Sequence, residues 1–235
     1  MKKLRFYLNK EFDKVMAEQF FNIQGGGIDF GQGIIKTHPK LKTVKNFKNN
    51  IAKKKALGIY LDEYYKLHKS AIAKKLTQVQ KAWQLKENKY FTVTQNYFNG
   101  FNFLPGKYIA YASVINCNPR FLDSKTFQFF YKKSIADAVY TITHELLHFI
   151  FFDFVEKKLK KEIKHLSEDQ LWDLSEIFNI IVLKSPIYSD IIDQKFIIPY
   201  PDHRSLIPQF EKVFKISKNA EEFIRHSIPI ISVKK

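Results

Sequence analysis

The 235 residues include seven histidines and twelve glutamates, and three of these stand together in His144-Glu145-Leu146-Leu147-His148. Residues four apart on a helix project from one face, one turn above the other. Two imidazoles so placed reach one tetrahedral Zn²⁺ at about 2.0–2.1 Å. A glutamate beside the first of them can take the proton of a water on that metal. Composition alone yields this pattern roughly 0.01 times in such a chain, so it is read as a site and not as coincidence.

The flanking residues sharpen the reading. Val139, Ile142, Leu146, Leu147, Phe149, Ile150, Phe151 and Phe152 put apolar side chains on nearly every side of the segment 134–161. Such a helix is expected to be buried. Polar groups inside it need partners, because unpaired burial is costly. A metal-free His–Glu hydrogen-bond cluster is the competing reading. Ser134, with Asp137 three residues on, opens the helix as a variant capping box, and lysines gather at its far end.

A catalytic zinc takes three protein ligands and leaves one position to water. Asp153, five residues past His148, faces away if the helix continues. His165 follows a run of lysines and reads as part of a solvated helix end. Glu176 lies in a segment opened by the capping box Ser167-Glu168-Asp169-Gln170 and stopped by Pro186. Its neighbours are Leu174, Ile177, Phe178, Ile180 and Ile181, and a buried carboxylate there wants a cation. Asp173, one turn earlier, takes its place if the register shifts.

A His-Glu-x-x-His helix followed by a second helix carrying Glu resembles the gluzincin branch of the zincin metallopeptidases, over roughly residues 107–183. The resemblance implies that His144, His148 and Glu176 ligate zinc and that Glu145 is the general base and acid of peptide hydrolysis. It implies an upstream edge strand, here KYIAYASVIN, that pairs with extended substrate backbone. It also implies a residue that steadies the oxyanion, for which His203 and Tyr200 in IIPYPDHR are the candidates. Two positions depart from the pattern. Ile180 stands where gluzincins commonly carry an Asp that orients a ligand histidine, leaving Asn179 or Asp173 for that task. Phe154 stands where metzincins carry a third histidine, and their helix-bending glycine is absent, which sets that branch aside. One alternative is a DNA-associated metalloprotease that uses His165 as third ligand. Another is a non-catalytic nucleic-acid or protein-binding module with a structural motif.

The elements that must position these residues are expected to form an α+β, zincin-like fold. A small sheet would pack on the active-site helix, above a helical lower subdomain. Residues 1–90 read as a basic, mainly helical region and 91–235 as the catalytic domain. Residues 43–88 have helical periodicity, with Gly58 a candidate break, whereas 89–94 have strand composition. The glycine-rich stretch 25–33 reads as a flexible loop. Helices are expected around 206–216 and 220–226.

Hydrophobic residues make up 45% of the chain and aromatics 16%, ample for a core. The net charge of +16 is uneven: residues 1–90 hold 20 Lys and Arg against seven acids, and residues 91–235 hold 19 against 16. Of these 39 cations only four are arginines, the residue that base reading favours. Nucleic-acid contacts through the basic region are therefore expected to be weak and non-specific. The single cysteine, Cys117, excludes an internal disulfide and a multi-thiolate metal site, and is expected to be buried and inert. No uncharged apolar run is long enough to span a membrane, and Lys10, Glu11, Asp13 and Lys14 interrupt any signal-like start. The expectation is a cytoplasmic protein with a peptide or protein substrate, Zn²⁺ as cofactor and no membrane partner.

Overall fold

Residues 4–192 and 197–233 are described by a computed structural model, which is mixed α and β and mostly helical. The chain folds as two compact units. The first takes Met1–Trp83 and Gly106–Thr141; the second takes Gln84–Pro105 and Ile142–Lys235. A single cut at residue 90 does not describe this division, because the strands after Gly106 pair with a strand at the start of the chain.

In the first unit, β1 (Arg5–Leu8), β4 (Ile109–Ser113), β5 (Arg120–Phe121) and β6 (Thr126–Phe130) form one sheet in the order β1-β4-β6-β5. Strand β4 runs parallel to both of its neighbours, pairing Arg5 with Ile109 on one side and Thr126 with Ile109 on the other. The strand expected to lie at an edge and receive substrate is thus an inner strand with both flanks used. Strand β6, TFQFF, is buried at every residue, the polar Thr126 and Gln128 included.

Helix α1 (Lys10–Phe20) is capped by Asn9, whose side chain accepts from the Phe12 N–H. From α1, Asp13 enters the core fully buried and accepts four hydrogen bonds: Tyr65 Oη at 2.7 Å, Ser113 Oγ at 2.7 Å, the Val114 N–H at 2.8 Å and Gln128 Nε2 at 2.8 Å. Burial nevertheless pushes its carboxyl above the usual range. His38, also buried, occupies the Val114 carbonyl through Nε2 at 2.7 Å. Cys117 is buried, and burial raises its thiol to about 12.

The glycine-rich stretch is an ordered hairpin of β2 (Gln24–Gly25) and β3 (Ile28–Asp29). Gly26 and Gly27 have φ of 59° and 78°, as a two-residue primed turn requires. Asp29 then caps α2 (Phe30–Thr37). Helix α3 runs unbroken from Asn50 to Gln84, 35 residues, with Gly58 inside it. One glycine costs about 1 kcal/mol against alanine, too little to end a helix of that length.

In the second unit, residues 89–94 lie in α4 (Glu87–Tyr97) and not in a strand. Tyr90, Phe91, Thr94 and Tyr97 are its buried face, at helical steps that prevail over the β-propensity of Tyr, Phe, Thr and Val. Helix α5 (Ile135–Lys158) carries the histidine motif, and its residues from Ile142 onward belong to this unit. It is, among the described residues, the one helix long and apolar enough to cross a membrane, yet most of its apolar stretch is buried in protein, as in a core helix. A short α6 (Lys160–Ile163) leads to α7 (Glu168–Lys184), which opens with the expected reciprocal Ser167–Gln170 capping box. From Asp173 to Leu183 every residue of α7 is buried. Helices α8 (Ile207–Ile216) and α9 (Ala220–Ser232) pack with it, and Phe223 stacks on Phe178 at 5.3 Å.

Candidate metal centre

Local sequence places two helices with polar residues on their buried sides. Helix α5 contributes His144 and His148, one turn apart. Helix α7 contributes Asp173, Glu176 and Asn179, three residues apart within a mostly apolar run, so they form one polar seam. Neighbouring packing fixes α5 near the motif: Tyr90 Oη donates to the Thr143 carbonyl at 3.3 Å, and Asn179 Nδ2 donates to the His144 carbonyl at 3.0 Å.

The seam brings three side chains to one point. His144 Nε2 lies 3.1 Å from Glu176 Oε2, His148 Nε2 lies 3.2 Å from Glu176 Oε1, and the two Nε2 atoms are 3.0 Å apart. These three residues form a group able to hold a metal ion. A tetrahedral ion at about 2.0–2.1 Å from each donor would separate the donors by roughly 3.3 Å, so the spacing needs to open by only a few tenths of an ångström. The donor chemistry fits as well: two neutral imidazoles and one carboxylate suit several divalent first-row ions.

Access differs among the three. The His144 side chain is 13% exposed, whereas those of His148 and Glu176 are 0% and 3% exposed. Burial pushes the Glu176 carboxyl up, but the facing His148 and His144 imidazoles outweigh it and hold the group well below the usual carboxylate range. Glu145, adjacent to His144, is buried at 5% exposure.

The remaining candidates fall elsewhere. Asp153 pairs with Lys157 at 2.9 Å, and His165 is exposed with Nε2 3.0 Å from Ser232 Oγ. Neither joins the triad. Asp173 lies one turn before Glu176 and binds His203 instead, with Nε2 2.6 Å from Oδ1. His203 is fully buried, with Trp172 and Tyr200 rings 5.3 and 5.5 Å from its own. Sequence reasoning named both Asp173 and His203 but not their pairing. The signal was the unexplained second acid on an apolar helix, which implied a basic partner from another segment.

No family model, curated protein or solved structure matches this chain.

Proposed function

We propose that the chain is a zinc-dependent metallopeptidase of the zincin kind, with a gluzincin-like ligand set. The observation that carries this reading is the meeting of His144 and His148 from one helix with Glu176 from another at 3.0–3.2 Å. A glutamate adjacent to the first histidine completes the set. His144, His148 and Glu176 would hold the ion. Zinc, when bound, supplies Lewis acidity toward a scissile carbonyl and lowers the pKa of a water.

The side chains of the protein do the rest. Glu145 takes a proton from the attacking water on its carboxylate and returns it to the leaving amine nitrogen. Asp173 fixes the ring of His203 through Nε2, and among the described residues the buried Nδ1 has no hydrogen-bond partner. His203 is the proposed oxyanion-steadying residue, and Asp173 is its positioning residue. Asn179 ties α7 to the carbonyl of His144 and so keeps the two ligand helices in register.

Glu145→Gln tests the reading. The variant is expected to retain one zinc per chain and to lose at least about a hundredfold in cleavage of an unfolded protein substrate, the low end of what general-base removal costs. Undiminished cleavage would remove Glu145 from the mechanism. Absence of bound zinc in parent protein after dialysis against zinc would favour a purely structural His–Glu cluster.

A further inference from the structure

The net charge follows the two units. The first holds 23 Lys and Arg against eight Asp and Glu, a net +15, while the second holds 16 against 15, a net +1. Nearly all of the excess charge thus lies in the unit without the candidate metal centre. Its longest element is α3, about 52 Å at 1.5 Å per residue. One face of α3 is buried through Leu57, Leu61, Tyr64, Tyr65, Ile72, Val79 and Trp83. At about 100° per residue, Lys55, Lys66, Lys69, Lys74 and Lys81 fall within a sector of roughly 140° on the opposite side. All five are exposed, and among the described residues none has an ion-pair partner. Two acids share the sector. Asp62 is already neutralised by Lys10 and Lys14 of α1, which leaves Glu63 against five ammonium groups.

We propose that this exposed face of α3 binds the phosphodiester backbone of nucleic acid without reading its sequence. Five lysines spread along some 39 Å, from Lys55 to Lys81, match a linear polyanion better than a single small anion. The face has no arginine, so it lacks the fork that makes bidentate contacts to base edges. A membrane surface fits less well. The exposed apolar residues Ile51, Ile59 and Leu67 are eight residues apart, so each is rotated by about 80° from the last and they form no insertable stripe.

The test is fluorescence anisotropy of the full chain with labelled 20-nucleotide single-stranded DNA, single-stranded RNA and duplex DNA across a salt series. The expected result is binding at low salt that weakens steeply as salt rises. K55Q/K66Q/K69Q/K74Q/K81Q is expected to weaken binding at least tenfold. It should also flatten the slope of log affinity against log salt by about 3.5–4.5, for five phosphate contacts at ~0.7–0.9 each. The matched set K158Q/K161Q/K164Q/K212Q/K215Q, on the second unit, removes the same charge and is expected to stay within about threefold of parent. Equal loss in both sets would overturn the proposal in favour of net charge alone. So would no binding at low salt, or binding to phosphatidylserine vesicles without binding to any oligonucleotide. Far-UV circular dichroism checks the fold, and K66E/K69E repeats the test should the fivefold variant misfold. Zinc content separates the two proposals, since the α3 variants are expected to keep it.

Discussion

Asp13 in the first unit and Glu176 in the second are both buried carboxylates, and they are held in opposite ways. Asp13 is ringed by four groups that can all donate: a phenol, a hydroxyl, a backbone N–H and an amide. Its needs are met by protein alone, and the result ties α1, α3, β4 and β6 together. Glu176 faces two imidazole nitrogens that also face each other at 3.0 Å. Each Nε2 presents either an N–H or a lone pair according to its tautomer, so the three groups close only around a proton or a metal ion. Burial is common to both clusters. What distinguishes a structural cluster from a ligand site is whether the donors and acceptors already balance.

Removing Glu176 should give the largest effect. Glu176→Ala is expected to cut zinc affinity by more than the ~10–100-fold that partners outside the ligand set cost. Chelator competition measures this directly. His148→Ala should behave likewise, since its ring is fully buried on the same carboxylate. Asp13→Ala should leave zinc affinity at the parent value when measured well below its unfolding temperature. A fall in zinc affinity in Asp13→Ala as large as in Glu176→Ala would erase the contrast between the clusters.

Stability sharpens the same contrast from the other side. Asp13→Ala strands the Val114 N–H and Gln128 amide in the core and is expected to cost about 3 kcal/mol or more, read by denaturant unfolding. Asp13→Asn should cost less, because its carbonyl still accepts from Val114 while Ser113 and Gln128 can reverse their roles.

Acid should act on the two clusters with opposite sign. The folded-state pKa of Asp13 is raised above its unfolded value of about 3.8. Its contribution to stability is therefore fully present below that value and is lost as pH rises through the folded value. The stability difference between parent and Asp13→Asn should follow that curve. Zinc occupancy should run the other way, falling with acid as protons compete for two imidazoles.

How much of this was readable beforehand depended on how local the determinant was. The histidine motif, the Ser167 box and the α7 burial pattern are each written within a short stretch of sequence, and the triad follows from them. The register of β4 was not local. Alternating residues from Ile109 to Ser113 identify a strand, but nothing in them says that Arg5–Leu8 will close one flank and Thr126–Phe130 the other. For α4, the helical steps of Tyr90, Phe91, Thr94 and Tyr97 are present in the sequence but are masked by the β-rich composition of the same residues. The hairpin at Gly26 and Gly27 was hidden because consecutive glycines permit the left-handed turn without requiring it. In the sequence Asp13 is one more charge near the start of the chain, because all four of its donors come from positions 52 to 115 residues away.

The smallest expected effects concern the acids and histidines that stand beside the triad without joining it. His165→Ala should leave zinc affinity unchanged within error, since its ring is exposed and spends Nε2 on Ser232. Asp173→Asn should lower zinc affinity by less than about tenfold, the lower end for a partner outside the ligand set. The same variant should be felt in turnover. An amide can no longer hold the His203 ring as a carboxylate does, so kcat should drop while KM stays close to parent, the signature of an interaction made in the transition state. His203→Ala should then produce a similar kcat loss, and combining the two should add little, because both remove one function. A double variant whose losses multiply would show that Asp173 and His203 act separately. Zinc loss in His165→Ala with retention in Glu176→Ala would overturn the ligand set itself.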